Sequence, residues 1–311
     1  MLIQLILKRL LTYIPVLLIV VIITFLMIHA APGGPFDAER VASPEIIEKL
    51  NEAYNLDKPL HVQIFNYLYG AIQGDFGPSF KYPGRTVSEL IMSGLPTTIE
   101  LAVYSILFAI FLGVFSGLLA SLNPGKFLDV APMSISLLGI CIPSIILGPI
   151  LVLIFGIWYD FFPVYGWGDN PGDKILPTIT LGTAYAAIFA RLTRGGMLEI
   201  LGQDFIRTAR AKGLSETRII FVHALRGGIL PVISFLGPAI AGLLAGSFVV
   251  ETIFQINGIG RFYVQAAFNR DYTMILGTSI LFTFMTLTFV LISDILASFL
   301  NPTLRDSGGL E

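Results

Sequence analysis

Long apolar runs alternate along the chain with shorter polar or turn-rich segments, and that alternation predicts helices crossing a membrane. Apolar runs occupy approximately 10–30, 97–121, 129–157, 175–192, 228–250 and 275–300, each long enough to cross a hydrocarbon core of roughly 30 Å. The first run follows Lys8 and Arg9 and is longer than the apolar core of a secretory signal, so a retained span is expected. Pro143 and Pro149 interrupt the third span and Pro238 the fifth. Kinks are expected there, on helices whose freed carbonyls face other helices or a cavity.

Residues 32–96 are too polar for a span and too long for a simple connection, so they are expected to fold as a small cap outside the membrane. Ser43, Pro44 and Glu45 mark a helix start, with Ile46, Ile47, Leu50 and Tyr54 as its buried face. Leu60, Ile64, Leu68 and Ile72 at four-residue spacing predict a second helix, ended by Gly74. Beyond the turn-rich GDFGPSFKYPGR, Thr86 and Glu89 have capping-box spacing and open a third short helix, which Gly94 and Pro96 separate from the next span.

One strongly charged segment, Asp204 to Pro231, lies between two apolar runs, and its basic residues outnumber Asp204 and Glu216. With the long first loop exempt, the inner segments hold eleven Lys and Arg and the outer ones three, Lys174, Arg261 and Arg270. That asymmetry places the charged segment and both termini in the cytoplasm. Met197, Leu201, Phe205 and Ala209 draw one apolar stripe, and Gly213 after a basic turn is a stop signal, so a helix, a sharp turn and a second helix from Ser215 are expected. Charge and periodicity alone leave two readings open, a topology determinant with a solvated face or a coupling element.

Composition narrows the class. Of 311 residues 55% are hydrophobic and 13% charged, and the mean hydropathy of +0.80 excludes a soluble globular domain. A single cysteine, Cys141 within an apolar run, excludes an internal disulfide framework and reads as a small packing residue. His29, His61 and His223 lie far apart without metal-ligand spacing, so no metal site is assigned. The net charge of −2 gives no footprint for nucleic acid. Gly125-Lys126 in PGKF lacks both the preceding glycine and the following hydroxyl of a phosphate-binding loop and reads as a short inner turn.

Several segments in order carry a family resemblance over nearly the whole length: GDFGPSFKYPGRTVSELI, RLTRGGMLEIL, FIRTARAKGLSETRIIFVHAL, VVETIFQINGIGRFYVQAAFNRDY and DILASFLNPTLR. The chain resembles the inner-membrane permease subunits of ATP-binding-cassette importers, specifically the B-type subunit of oligopeptide and dipeptide systems. The family's Glu-Ala-Ala then Gly pattern falls on Arg207, Thr208, Ala209 and Gly213, with arginine replacing glutamate, and Leu230-Pro231 comes later than the family's Leu-Pro. The resemblance implies an all-α, multi-spanning fold of the type I importer class, with six transmembrane helices and an extracytoplasmic helical cap. The parts are then a first span at 1–31, the cap at 32–96 and a permease core at 97–311 with a cytoplasmic coupling loop at 193–227. It implies a non-catalytic inner-membrane subunit forming half of a peptide pathway and holding no cofactor. A second, C-type permease subunit, two ATPase chains that bind ATP and Mg, and an external peptide-binding protein would complete the importer. Nickel complexes or oligosaccharides are the alternative cargo, and a stand-alone secondary transporter or channel is the alternative class.

Candidate residues follow. Arg207, Thr208, Ala209, Lys212, Gly213, Leu214, Ser215 and Glu216 are expected to couple to the ATPase, and Gly213→Ala is expected to abolish transport without preventing assembly. Path-lining candidates are hydroxyls and a proline of the kinked spans, namely Ser136, Pro143, Ser144, Thr183, Ser234 and Ser247. Gly258, Gly260, Arg261, Asn269, Arg270 and Asp271 form an outer glycine turn and short amphipathic helix, for which binding-protein docking, a gate-side turn and an interfacial anchor all stand open. Asp294, near the inner end of the sixth span, is expected to meet an arginine of a neighbouring helix or the interface, and Glu100 to cap the second span.

Overall fold

The computed structural model describes residues 2–31 and 56–300. The expected helix start at Ser43–Glu45, with Ile46, Ile47, Leu50 and Tyr54, lies outside these residues, as do Asn301–Arg305 of the closing motif. In chain order the helices are α1 (Leu2–Ala30), α2 (Leu60–Ile72), α3 (Val87–Ser121), α4 (Phe127–Cys141) and α5 (Ser144–Leu151), which runs into a π-helical segment, Val152–Trp158. Then come α6 (Ile175–Leu201), α7 (Asp204–Ala211), α8 (Glu216–Arg218), a second π-helical segment (Ile219–Ala224), α9 (Leu225–Gly228), α10 (Leu230–Ile253), α11 (Ile259–Asn269) and α12 (Tyr272–Leu300).

Five of these, α1, α3, α6, α10 and α12, are individually long and apolar enough to span. The third predicted span is no single kinked rod: it breaks between Cys141 and Ser144 with a bend of 108°. Pro143 has no N–H for the carbonyl of Gly139, and the proline before Ser144 disfavours helical backbone at Ile142, which is extended at ψ 110°.

Contacts show that the broken pair still carries the chain across. Gly182 of α6 packs on Ser105 of α3 and Ala190 on Gly113, so α3 and α6 run parallel. Asp129 of α4 meets Arg194, near the far end of α6, whereas Gly148 of α5 reaches Thr180 near its start. The α4–α5 pair is thus antiparallel to α6, and the path makes six crossings. At the two ends of α1, Arg9 pairs with Asp294 at 2.8 Å and His29 lies 5.2 Å from the Tyr272 ring, so α1 and α12 are antiparallel, with the start of α1 and the end of α12 on one side.

Small residues permit the closest of these approaches. A Cβ on Gly113 would stand 2.5 Å from the carbonyl oxygen of Ala186, and one on Gly117 would collide with that of Ala190. Lipid offers apolar surface as readily as a neighbouring helix does, so such backbone-to-backbone packing, rather than apolar burial, selects the α3–α6 pair. Phe189 of α6, fully buried beside Gly113, fills the remaining space.

Three details of the sequence reading change. The Thr86–Glu89 capping box forms, but the helix it opens runs unbroken through Gly94 and Pro96 to Ser121. Gly94 is small because the backbone of Gly258 and Ile259 lies against it, not because the helix stops there. On α2 the four-residue stripe rotates by about 120° between Leu60 and Ile72, leaving both ends exposed. Its core-side positions are Gln63, whose amide donates to the carbonyls of Leu56 and Lys58, and Tyr67, whose hydroxyl donates to that of Thr273. Finally, the stripe from Met197 to Ala209 is not one helix. The chain breaks between Leu201 and Asp204, which resets the phase, so Ile206 is buried and Phe205 is 50% exposed.

Candidate functional site

Two polar constructions stand at opposite ends of the bundle. One is the turn between α7 and α8. Gly213 has φ +76°, the left-handed conformation, and is the hinge of a Schellman cap: its N–H donates to the carbonyl of Arg210 at 2.9 Å, and that of Leu214 to Ala209 at 3.3 Å. The accompanying apolar contact is present, since Leu214 packs in a cluster with Ala209, Ile206, Met197 and Ile219. Arg210 spans the turn with a two-pronged ion pair to Glu216, Nε at 2.8 Å and Nη2 at 3.2 Å. That guanidinium holds the Glu216 carboxyl below the usual glutamate range.

Among the coupling candidates, Ala209 is buried and Leu214 half-buried, while Arg207, Thr208, Lys212, Gly213, Ser215 and Glu216 are exposed. Arg207 makes only a 3.4 Å contact with exposed Asp204, and Thr208 donates to its own helix at the Asp204 carbonyl. The element therefore buries one face on the bundle and presents the other, with Phe205, Phe221 and Val222 as exposed apolar side chains among the charges. Asp129 anchors the same end from α4, accepting from Arg194 Nε at 2.5 Å and Nη2 at 2.8 Å and from the Gly125 N–H at 2.9 Å. The PGKF stretch is a turn, with Gly125 at φ +74°.

The other construction surrounds α11. At its start, Thr98 of α3 donates to Glu251 of α10 at 2.8 Å while accepting from the Ile259 N–H at 2.9 Å, and Glu251 accepts from the Arg261 N–H at 3.0 Å. Gly258 and Gly260 lack side chains where that carboxylate sits: a Cβ on either would intrude on it. At the other end, Asp271 is 1% exposed and accepts from Ser79 Oγ in a short hydrogen bond, and from the N–H groups of Phe80 (3.2 Å), Lys81 (3.3 Å) and Met274 (3.2 Å). Asn269 is exposed on the last turn, and Arg270 closes the helix in the left-handed conformation at φ 58°. Arg261 also reaches the Gln255 carbonyl and Asn257 Oδ1, at 2.9 and 3.0 Å. Of the outer candidates, Gly258, Gly260 and Asp271 are thus interior, and Arg261 is half-buried.

The path candidates do not form one cluster. Ser136, Pro143 and Ser144 flank the α4–α5 break, and Gly139 between them contacts Thr183, whose hydroxyl donates to its own helix at Ile179. Ser234 and Ser247 stand on α10, nearer its opposite ends. The Ser234 carbonyl accepts from Ser293, and Ser247, fully buried, donates to the Leu244 carbonyl at 2.9 Å. Glu100 lies well inside α3 and caps nothing; it accepts from Lys174 Nζ at 2.6 Å and Trp167 Nε1 at 2.8 Å, and Lys174 also sits over the Tyr104 and Trp167 rings.

Sequence reasoning gave no role to Glu251, Thr98, Asp129 or Gly113. A carboxylate inside an apolar run, as at Glu251, and the Gly113-x-x-x-Gly117 spacing are signals that could have found two of them.

Residues 105–306 match the family model described as binding-protein-dependent transport system inner membrane component, and residues 1–102 match the model of its N-terminal portion. The oligopeptide transport system permease protein OppB of Haemophilus influenzae is 45% identical over 299 residues, covering 96% of this chain and 98% of that protein. OppB of Salmonella typhimurium is 42% identical, again across 96% and 98%. The dipeptide transport system permease protein DppB of Bacillus subtilis is 39% identical, across 93% and 94%. Among solved structures, an inward-facing form of the MetNI methionine ABC transporter matches with a TM-score of 0.57 at 17% identity, covering 68% of this chain and 96% of that one. An amino acid ABC transporter matches with a TM-score of 0.53 at 20% identity, covering 68% and 94%. These two establish the fold alone, that of type I importer permeases.

Proposed function

The chain belongs to the family of binding-protein-dependent transport system inner membrane components, and we propose that it forms half of the pathway through which an ATP-driven importer carries oligopeptides or dipeptides inward. The observation that carries this reading is the 45% identity with an oligopeptide permease across 96% of the chain. It is a multi-pass inner-membrane protein. Both termini and the α7–α8 turn face the cytoplasm, and the exposed face of that turn seats on an ATPase subunit. Two such subunits bind ATP and Mg, a second related permease completes the pathway, and an external binding protein delivers the peptide. The chain performs no chemistry on its cargo; it supplies helices whose two arrangements the ATPase cycle favours in turn.

Liposomes holding the complete complex, given labelled peptide with nickel and an oligosaccharide as competitors, test this directly. ATP-dependent peptide uptake that neither competitor reduces is the expected result. Uptake by this chain alone without ATP would refute it.

A further inference from the structure

α11 lies at the outer end of the bundle and is fastened at both ends by buried side chains from elsewhere in the chain. Its first turn has N–H groups that no helix residue can satisfy, and two are taken by other helices: Ile259 by Thr98 of α3, and Arg261 by Glu251 of α10. Thr98 and Glu251 are themselves joined, and both are fully buried. Separating α11 from either helix would strand a carboxylate and helix N–H groups in a dry interior, which is costly, so the three ends move together or not at all.

At the far end, Asp271 gathers the loop that precedes α3. Ser79 Oγ and the N–H groups of Phe80 and Lys81 all converge on its carboxylate, and Thr273 Oγ1 donates to the Pro78 carbonyl at 2.6 Å. Along the length between, Tyr82 of the loop packs edge-on against Phe262 and donates to Gln265 Oε1 at 3.1 Å. Tight backbone packing of Gly94 on Gly258 completes the fit. The tip of this loop, Lys81 and Pro83 to Arg85, is exposed.

We propose that α11 is a transmission strut: a contact made on the exposed 81–85 loop is carried along α11 to the Thr98–Glu251 junction and there shifts the outer ends of α3 and α10. This rests on the importer reading, in which a peptide-loaded binding protein supplies that contact. Ser79 and Thr98 are the two junctions of the strut, and each can be weakened by one atom. Asp271 without Ser79 keeps its backbone donors, and Glu251 without Thr98 keeps the Arg261 N–H, while the Ile259 N–H loses its acceptor.

The test uses the full reconstituted complex carrying Ser79→Ala, Thr98→Val or both, and compares copurification of subunits, ATPase rate alone and ATPase rate with peptide-loaded binding protein. Ser79→Ala is expected to assemble like the unsubstituted complex and Thr98→Val, which strands the Ile259 N–H, somewhat less, with the unstimulated rate per assembled complex unchanged in both. Stimulation by the binding protein falls on the order of fivefold in either single variant and no further in the double one, since both cut the same strut. Full stimulation in both single variants overturns the proposal. So does a loss of stimulation that merely parallels a loss of assembly, which would assign these side chains to folding alone. An unsubstituted complex that the binding protein fails to stimulate would instead overturn the importer reading beneath it.

Discussion

Asp129 and Arg194, 65 positions apart, form a two-pronged ion pair at 2.5 and 2.8 Å that ties the first turn of α4 to the C-terminal part of α6. Asp129 is 4% exposed, and it also holds the Gly125 N–H of the preceding turn. Arg194→Lys keeps the charge but loses the fork, whereas Arg194→Ala leaves a carboxylate without its counter-ion. In detergent the melting temperature is expected to fall in the order unsubstituted, Arg194→Lys, Arg194→Ala, with Asp129→Asn between the last two. An Arg194→Ala protein as stable as the unsubstituted one would show the pair to be incidental.

Gly113 and Gly117 bring α3 against the backbone of α6, so any side chain there separates two helices. Gly113→Ile is expected to cost about 1–3 kcal/mol, seen as a lower midpoint in denaturant or a loss of folded yield. Gly195 of α6 has open space around its missing Cβ, and Gly195→Ala serves as the neutral control.

For Gly213 the structure separates two effects. The φ of +76° penalises any side chain by about 1–2 kcal/mol, but nothing lies within 4 Å of an added Cβ. Gly213→Ala is therefore expected to weaken the turn and reduce uptake several-fold rather than abolish it. Gly213→Trp, reaching beyond the chain's own surface, is expected to stop uptake by blocking the proposed ATPase seat. Measured uptake that is equal for alanine and tryptophan would place that surface elsewhere.

Phe205, like Phe221 and Val222, is an exposed apolar side chain on a stretch otherwise rich in charge. Aromatic side chains at interface centres commonly dominate binding energy, so Phe205→Ala is expected to weaken ATPase association on the order of tenfold. Titration of the purified ATPase against the permease in nanodiscs gives the number. An unchanged affinity would leave the charged residues as the contact.

Cys141 is the chain's one cysteine, so Cys141→Ser gives a clean background for mapping sidedness. A cysteine at exposed Phe161 should react with an impermeant maleimide added to intact cells, and one at Lys212 only after the membrane is opened. The reverse pattern would invert the assigned orientation.

The apolar runs made the crossings legible because length and hydropathy are local properties, and Gly213 was legible because a stop signal is also local. Pairings were not. Nothing near Asp129 names Arg194, and nothing near Asp271 names Ser79, 192 positions earlier. Docking, gate and anchor roles stood open for Asp271 in the sequence, and only the fold shows that its carboxylate is enclosed. The stripe through Met197 and Phe205 misled for a related reason: periodicity assumes an unbroken helix, and the break after Leu201 shifts the phase by a fraction of a turn. Glu100 sits one turn from threonines that could cap a helix, but α3 had already begun at Val87.

The Arg9–Asp294 pair joins the first described helix to the last. In the order of synthesis α1 precedes the other described spans, and α12 follows them. Until α12 arrives, Arg9 lacks Asp294 and the ring of His29 lacks Tyr272. A helix made late thus secures one made early, and a chain halted short of α12 lacks both of these ties.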